Sequence, residues 1–325
     1  MLQQRPYKYQ PKPLFEERMK ALIPDKQDYE QFTKIIHTQP QNFIRCNTIK
    51  ISPPELFSRL KAKWSVIQPF PEYPEIMLIE TALGPGELGN SIEHLLGYYY
   101  VQEVCSMMPV IALDPQPGEF VLDLFASPGS KTTQMAAKME NTGTIIANDL
   151  RIDRISILVS NIEKAAATNC IITRKDAIAL CSSLSKSGYQ FDKILADVPC
   201  SGEGTLRSSP KTFIMWNPKV IYSLSRQQKK FIAFALKCLK VGGTLIYSTC
   251  THAPEENEEI VNFALQNFPV KIESISLPLK CRPGLTKWKD DSYNEELTKT
   301  CRIYPHDNNS EGFFVSKMTL LEEIQ

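Results

Sequence analysis

Two cysteines follow two apolar runs of the sequence, and their positions suit covalent chemistry. Cys200 stands in A-D-V-P-C-S-G and Cys250 in I-Y-S-T-C-T. The preceding stretches, residues 191–198 and 244–247, have the continuous apolar character of buried strands in a parallel sheet. Open α/β folds bind their ligands at the carboxyl ends of such strands. Two thiols at that edge indicate that one attacks a substrate as a nucleophile, while the other serves proton transfer or release.

A third segment has the pattern of a strand, a tight turn and a helix. The strand is residues 119–125, and A-S-P-G-S-K-T-T follows it, which would present backbone N–H groups at the start of a helix. This turn is neither a Walker loop nor the three-glycine dinucleotide fingerprint. A second strand, residues 144–148, ends in Asp149, where an acidic side chain commonly binds ribose hydroxyls.

Composition limits the class of protein. The 325 residues allow one large or two moderate domains, and 42% hydrophobic with 22% charged residues is typical of a soluble globular protein. No apolar run has the length of a membrane span, and the N-terminus lacks the apolar core of a signal peptide, so we expect a cytoplasmic protein without membrane association.

The cysteine and histidine patterns argue against disulfides and metals. The nine cysteines are an odd number without a C-x-x-C pair, and the four histidines are not at ligand spacing. We therefore expect a reducing compartment, no disulfide, no metal site, and buried or incidental roles for the other seven thiols. A net charge of +1 means that any nucleic-acid binding would depend on local basic patches.

The chain divides near residue 112. Residues 1–112 contain two helical segments and then a small α+β unit, whose elements are separated by proline-rich loops. Residues 113–325 alternate strands and helices, which predicts a Rossmann-like, doubly wound parallel sheet. The expected strands are residues 119–125, 144–148, 169–174, 191–198 and 244–249. The expected helices are residues 131–139, 153–166, 218–239 and 254–267.

Three motifs resemble those of the NOL1/NOP2/Sun family of RNA cytosine-5 methyltransferases. Residues 123–132, D-L-F-A-S-P-G-S-K-T, resemble the family's D-x-C-A-A-P-G-G-K-T. Residues 197–202 match D-x-P-C-S-G, and residues 247–257 match Y-S-T-C-[ST] followed by P-E-E-N. Shorter matches extend the resemblance from about residue 43 to residue 317. The departures are Phe125, Ser127 and Ser130, of which Ser130 would be strained if its backbone required a positive φ.

The resemblance implies a class I methyltransferase sheet with an antiparallel last strand, an N-terminal RNA-recognition-motif-like unit, and S-adenosyl-L-methionine as cofactor. By the same resemblance, the cofactor-binding residues are Phe125, Ala126, Ser127, Pro128, Gly129, Ser130, Lys131, Asp149, Arg154, Asp176 and Asp197. A surface charge or a helix cap is the alternative for Asp176 and Arg154.

The catalytic roles also follow from the resemblance, which assigns attack to Cys250, product release to Cys200, and hydrogen bonds to the cytosine ring to Asp197. The chemistry requires such a set, because thiolate attack at C6 makes C5 enamine-like and able to take a methyl group. Lys131 is expected to line the same pocket. A buried core thiol is the alternative for either cysteine.

The expected substrate is RNA in which the target base is unpaired or flipped. The short chain is similar to the archaeal tRNA enzymes of the family, so we expect tRNA as substrate and a monomer. Ribosomal RNA is the alternative, as are a catalytically silent RNA-binding protein on the same fold and a DNA methyltransferase that would use Cys200 as its nucleophile.

RNA affinity is expected to come from basic patches. The candidate side chains are Arg5, Lys8, Lys12, Arg45, Lys50, Arg207, Lys211 and Lys219. The tyrosines at 98–100 favour packing between the two units over base stacking. The small unit is either an RNA-binding module or a structural lid. Removal of residues 1–80 would distinguish these, and we expect it to spare cofactor binding.

Overall fold

Two helices begin the described part of the chain, which in this computed structural model comprises residues 10–324. They are α1 (Pro13–Leu22) and α2 (Lys26–Ile35), and the Asp25 side chain caps α2 by accepting from the Asp28 N–H. Phe15 packs edge-on against Trp216, with ring centroids 5.4 Å apart. Both helices thus belong to the core of the large sheet, although they precede the small one in sequence.

The small unit is a four-stranded antiparallel sheet with two helices. Its elements are β1 (Asn42–Cys46), α3 (Pro53–Lys61), β2 (Val66–Ile67), β3 (Ile76–Ile79), α4 (Ile92–Leu95) and β4 (Tyr99–Val101). The βαββαβ order and the strand order β2-β3-β1-β4 are those of an RNA-recognition motif, as the family resemblance implied.

Both faces of the small sheet are covered. Ile44 packs with Leu56 of α3 on one face. On the other face, which an RNA-recognition motif uses to stack bases, Phe43, Ile76 and Leu78 are buried in a cluster with residues of the large sheet. The face that would bind RNA is therefore part of the contact between the two units.

The second unit alternates helices and strands. In chain order its elements are α5 (Met108–Leu113), β5 (Phe120–Asp123), α6 (Ser130–Lys138), β6 (Thr144–Asp149), α7 (Ile152–Ala165), β7 (Cys170–Arg174), α8 (Ala177–Lys186), β8 (Phe191–Asp197), α9 (Thr212–Met215), α10 (Pro218–Leu236), β9 (Leu239–Thr249), α11 (Glu258–Asn267), β10 (Val270–Glu273), β11 (Arg282–Pro283), β12 (Lys287–Trp288), β13 (Asp291–Ser292), β14 (Cys301–Ile303), α12 (Pro305–Asn308) and β15 (Phe313–Leu320). No helix among residues 10–324 is both long and apolar enough to cross a membrane.

The parallel part of the large sheet has the topology that the alternating pattern predicted, and its antiparallel strand is the one that the family resemblance implied. Strands β7, β6, β5, β8 and β9 are parallel in that spatial order, and β15 joins β9 in the antiparallel sense. From β5 the chain adds β6 and β7 on one side, and it then adds β8 and β9 on the other side. The strand order therefore reverses between β5 and β8, which is where such folds bind ligands. The carboxyl ends of β5, β6, β8 and β9 carry the candidate site residues.

Several boundaries differ from the sequence prediction. Helix α11 begins at Glu258 rather than at residue 254, because residues 254–257 form a turn whose Asn257 side chain accepts from Thr249 Oγ1 and donates to Thr251 O. Helix α8 was not predicted at all. Of the three tyrosines, Tyr100 lies at the contact between the two units, where Asn161 donates to its hydroxyl, as expected. Tyr98 and Tyr99 instead pack in the core of the small unit, and the run leads into strand β4 rather than lying on a helix.

The expectation of no disulfide is wrong, since Cys281 and Cys301 are bonded. Strand β11 pairs with β14 in a register that sets Pro283 opposite Cys301 and thereby brings Cys281 within 5.2 Å, Cα to Cα. This pairing of two short strands across 20 residues leaves no signal in the spacing of the cysteines.

Candidate functional site

The two cysteines meet at the carboxyl edge of the large sheet. Cys200 follows β8 and Cys250 follows β9, and their Sγ atoms lie 3.1 Å apart, within hydrogen-bond distance. The hydrogen bond with Cys250 and burial raise the pKa of the Cys200 thiol well above its ordinary value. Cys200 is therefore held as the neutral thiol beside the Cys250 sulfur.

Short contacts fix the loops that carry the cysteines. Gly204 N donates to Cys250 O at 2.9 Å, and the hydroxyls of Ser201 and Thr251 are 2.7 Å apart. Gly204 also lies against the start of β15, where an added Cβ would come within 2.3 Å of Gly312 O. A side chain at position 204 would clash with this backbone. Glycine therefore lets the Cys200 loop lie close to the start of β15.

An ion pair lies beside the cysteines. Lys131 Nζ is 2.7 Å from Asp197 Oδ2, and Ser248 Oγ donates to Asp197 Oδ1 at 2.8 Å. Burial by itself would lower the pKa of Lys131. The nearby Asp197 and Asp123 together have the larger effect and raise that pKa above its usual value. The site thus offers a charged donor and a carboxylate acceptor next to two thiols.

The turn between β5 and α6, residues 125–131, follows the sequence expectation closely. Gly129 has φ 101°, and a Cβ there would lie 3.0 Å from Leu158 Cδ1, so glycine is required at this position. Ser130 is the first helical residue of α6 and its φ is not positive, which removes the concern about strain. Phe125 packs edge-on against Phe231, with centroids 4.9 Å apart.

Asp149 ends β6 with one carboxylate oxygen that accepts no hydrogen bond within the described residues. Its Oδ1 accepts from Arg151 N, whereas its buried Oδ2 accepts no hydrogen bond within the described residues and has Arg154 Nη1 3.5 Å away. A buried carboxylate oxygen without a donor is costly. It therefore indicates a ligand that supplies hydroxyl or amine donors at this edge.

Asp176 and Arg154 make structural contacts close to this edge. Asp176 caps α8 by accepting from Ala179 N at 3.0 Å, and Arg154 donates to Ser127 O in the β5–α6 turn. The helix-cap alternative for Asp176 is thus observed. Its assignment to the cofactor stays a prediction.

Sequence reasoning missed a buried acidic network beneath the cysteine loops. Arg18 of α1 donates to Glu255 Oε1 at 2.9 Å and lies 3.5 Å from Glu203 Oε1. Glu203 in turn accepts from Thr251 Oγ1, one residue beyond Cys250. The P-E-E-N motif could have indicated Glu255, but nothing in the sequence pointed to a partner on α1.

A second buried carboxylate supports the Cys200 loop. Glu256 Oε2 accepts from Ser201 N at 3.1 Å and from Gln228 Nε2 at 2.9 Å, and Gln228 also donates to Pro199 O. Burial raises the pKa of Glu256 to about 7 in spite of these donors. The backbone on both sides of Cys200 is therefore held by one glutamate–glutamine pair.

Glu311 leads to a prediction about pH. Its Oε1 accepts from Ser208 N, its Oε2 is buried without a hydrogen bond in the described structure, and burial raises its pKa to about 7. The unfolded value is about 4.3. Between about pH 4.3 and pH 7, the folded protein therefore binds a proton that the unfolded chain has released. The free energy of unfolding falls as the pH rises through this range.

Glu311→Gln keeps an acceptor for Ser208 N. We expect its free energy of unfolding, relative to that of wild type, to increase by about 1–3 kcal/mol as the pH rises from 5 to 8. Urea unfolding at several pH values measures this, with the exposed Glu17→Gln as control. A difference from wild type that does not change with pH would contradict the prediction.

The basic residues expected to bind RNA have other roles in most cases. Arg45 and Arg207 are 3% and 1% exposed, which contradicts their assignment to a phosphate-binding surface. Arg207 donates to Ser310 O and to Gln39 O, and Lys12 and Lys50 donate to backbone carbonyls. Lys211 and Lys219 are exposed, and Arg5 and Lys8 lie outside the described residues.

The strand order, the glycine turn after the first parallel strand and the acidic residue after the second define a class I methyltransferase fold. Residues 110–319 match the family described as 16S rRNA methyltransferase RsmB/F, and residues 12–104 match the N-terminal domain of 16S rRNA methyltransferase RsmF. The chain belongs to this RsmB/F, or NOL1/NOP2/Sun, family of methyltransferases.

Curated relatives and solved structures are similar over most of the chain. A tRNA (cytosine(49)-C(5))-methyltransferase of Pyrococcus abyssi is 40% identical over 90% of this chain and 92% of its own. Ribosomal RNA small subunit methyltransferase F of Psychromonas ingrahamii is 38% identical over 93% of this chain but 62% of its own. A methyltransferase homolog from Pyrococcus horikoshii superposes with TM-score 0.83 at 31% identity, covering 95% of each chain.

A further structure, NSun6 from Pyrococcus horikoshii with SFG, an S-adenosyl-L-methionine analogue, superposes with TM-score 0.82 at 25% identity and covers 96% of this chain and 98% of its own. The predicted family, fold class and methyltransferase activity class are thereby confirmed.

Proposed function

We propose that this protein transfers a methyl group from S-adenosyl-L-methionine to C5 of a cytosine in RNA, through a covalent adduct between Cys250 and C6 of the base. The observation that carries the proposal is the pair of thiols 3.1 Å apart beside the Lys131–Asp197 ion pair. A thiol that holds its proton beside one that attacks suits a two-step reaction of attack and release.

The residues present fit the cofactor. Asp149 Oδ2, which accepts no hydrogen bond within the described residues, is suited to ribose hydroxyls, and the N-terminal end of α6 offers backbone N–H groups at the β5–α6 turn. Phe125, Arg154 and Asp176 would line the same pocket. When bound, S-adenosyl-L-methionine supplies the methyl group that C5 receives.

The protein residues account for the remaining steps. Asp197 accepts from the cytosine amino group while Lys131 orients its carboxylate. Attack by the Cys250 thiolate at C6 raises electron density at C5. After methylation the C5 proton passes to water, the C6–sulfur bond breaks by β-elimination, and the thiolate of Cys250 is restored. Cys200 serves this release step, because its thiol lies 3.1 Å from the Cys250 sulfur and can donate a hydrogen bond to the thiolate as it leaves.

We favour tRNA as the substrate, since the chain is 40% identical to the archaeal tRNA enzyme over 92% of that enzyme's length. Incubation with labelled S-adenosyl-L-methionine and either bulk tRNA or small-subunit ribosomal RNA tests this. Label in tRNA alone is expected. Label in ribosomal RNA alone would favour the alternative substrate, and no label in either would favour a silent RNA-binding protein.

Asp149→Ala is expected to weaken binding of S-adenosyl-L-methionine by about 1.5–3 kcal/mol, the scale of lost charge-assisted hydrogen bonds. Calorimetric titration measures the change. Asp153→Ala is a matched control, because Asp153 is an exposed aspartate four residues away that pairs with Arg151. Equal affinities of the two variants would remove Asp149 from the pocket.

A further inference from the structure

Arg45 is a buried cation without an acidic partner. It lies on β1 of the small sheet with 3% of its surface exposed, and no ion pair among residues 10–324 includes it. Burial lowers its pKa to about 10. Burying a guanidinium without a carboxylate partner costs folding free energy. The hydrogen bonds of Arg45 therefore indicate which function offsets that cost.

One of its hydrogen bonds goes to Gln102 Oε1, just after β4, and the others cross to the catalytic unit. Arg45 Nη1 donates to Ser130 O at 2.7 Å and Nη2 donates to Thr133 Oγ1 at 2.9 Å. Thr133 Oγ1 in turn donates to Gly129 O at 2.8 Å. The guanidinium thus holds two successive carbonyls of the β5–α6 turn, one directly and one through a hydroxyl.

A second link from the small sheet reaches the same turn. Asn161 of α7 donates to Tyr100 OH at 3.3 Å and to Pro128 O at 2.8 Å. Tyr100 is the cross-strand partner of Arg45, and its ring lies 5.6 Å from the guanidinium carbon. Three consecutive turn carbonyls are therefore fixed by groups that meet at the small sheet.

Fixed carbonyls fix the opposite ends of their peptide groups. A peptide is planar, with its C=O and the next N–H pointing in opposite directions. Holding Gly129 O sets the direction of the Ser130 N–H, and holding Ser130 O sets that of the Lys131 N–H. These N–H groups belong to the first turn of α6, where backbone donors have no partner within the helix and are available to a ligand.

We propose that Arg45 is a positioning residue for cofactor binding, acting across the contact between the small sheet and the catalytic unit by orienting the peptide groups of the β5–α6 turn. The inference rests on the proposed use of S-adenosyl-L-methionine. It gives the small unit a function besides RNA contact, and it replaces the expectation that removal of residues 1–80 would spare cofactor binding.

Calorimetric titration with S-adenosylhomocysteine tests the proposal. Arg45→Ala should lower the affinity by about tenfold or more, the scale of losing a hydrogen bond from a charged donor. Arg45→Lys, which can replace one of the two bonds, should lose less. Asn47→Ala is the matched control, because Asn47 lies two residues along the chain and also crosses the contact, but to Ala165 O at the end of α7. Its affinity should stay within about twofold of wild type.

A double-mutant cycle separates positioning from general destabilisation. Thr133→Val removes the hydroxyl that links Arg45 to Gly129, so Arg45→Ala and Thr133→Val together should cost less affinity than the sum of the two losses. Additive losses, or equal losses in Arg45→Ala and Asn47→Ala, would overturn the proposal. If Arg45→Ala does not fold, Arg45→Lys and Thr133→Val decide it in the same way. A wild-type protein that binds no S-adenosylhomocysteine would instead overturn the proposed function.

Discussion

Cys250→Ala is expected to abolish both methyl transfer and covalent capture of RNA, while Cys200→Ala accumulates a covalent protein–RNA adduct. The adduct forms with Cys200→Ala because Cys250 can still attack C6, whereas the step that restores the free thiolate fails. For Cys250→Ala the rate of methyl transfer should fall by at least about a thousandfold. Denaturing gels with substrate RNA, with and without S-adenosyl-L-methionine, show the adduct as a band of reduced mobility.

Cys170→Ala is the control for this pair. Cys170 is a partly buried thiol on β7, at the far end of the parallel strands, and its loss should leave both readouts unchanged. An adduct with Cys250→Ala and none with Cys200→Ala would reverse the two roles and indicate the DNA-methyltransferase type of chemistry.

The second large effect is expected at Arg18, far from the cysteines in sequence. Arg18→Ala would leave Glu203 and Glu255 buried without their cation, and both are under 7% exposed in their side chains. Breaking a buried ion pair from one side costs about 3–5 kcal/mol of folding free energy. Because Glu203 also accepts from Thr251, beside Cys250, activity should fall even at temperatures where the variant remains folded.

Chemical unfolding of Arg18→Ala and of Lys20→Ala measures this cost. Lys20→Ala removes the same charge from an exposed position of the same helix, so it should change stability by less than about 0.5 kcal/mol. Adding Glu255→Gln to Arg18→Ala should recover part of the loss, since it removes one of the unpaired charges. Similar stabilities of Arg18→Ala and Lys20→Ala would show that the network carries no such energy.

The predictable part of this fold is the part encoded by contiguous residues. The apolar runs before Cys200 and Cys250 indicated β8 and β9, and the carboxyl-edge rule for parallel sheets then brought the thiols together. Asp149 followed from its place after β6 in the same way. In each case the position along one strand was enough, because parallel neighbours share an edge.

The parts that could not be predicted depend on contacts between distant segments. Arg18 and Glu255 are 237 residues apart, and the charge of Arg18 on an amphipathic helix looks like that of any solvated side chain. Arg207 followed the catalytic motif and looked suited to phosphate, but the structure turns it inward onto backbone carbonyls. Burial of a charged side chain is decided by packing, and a single sequence does not record packing.

Because both faces of the small sheet are covered, the small unit and the catalytic unit are expected to evolve together. The catalytic unit shields Phe43, Ile76 and Leu78 from water, whereas Ile44 and Leu56 shield each other within the small unit. Expressed alone, the small unit would present that apolar face to solvent and associate with itself. A unit of this kind cannot be exchanged between genes as a free-standing RNA-binding cassette. Its sequence is expected to change in step with that of the catalytic unit, and chimaeras that combine the two from distant relatives should fold poorly unless the contact residues are transferred together.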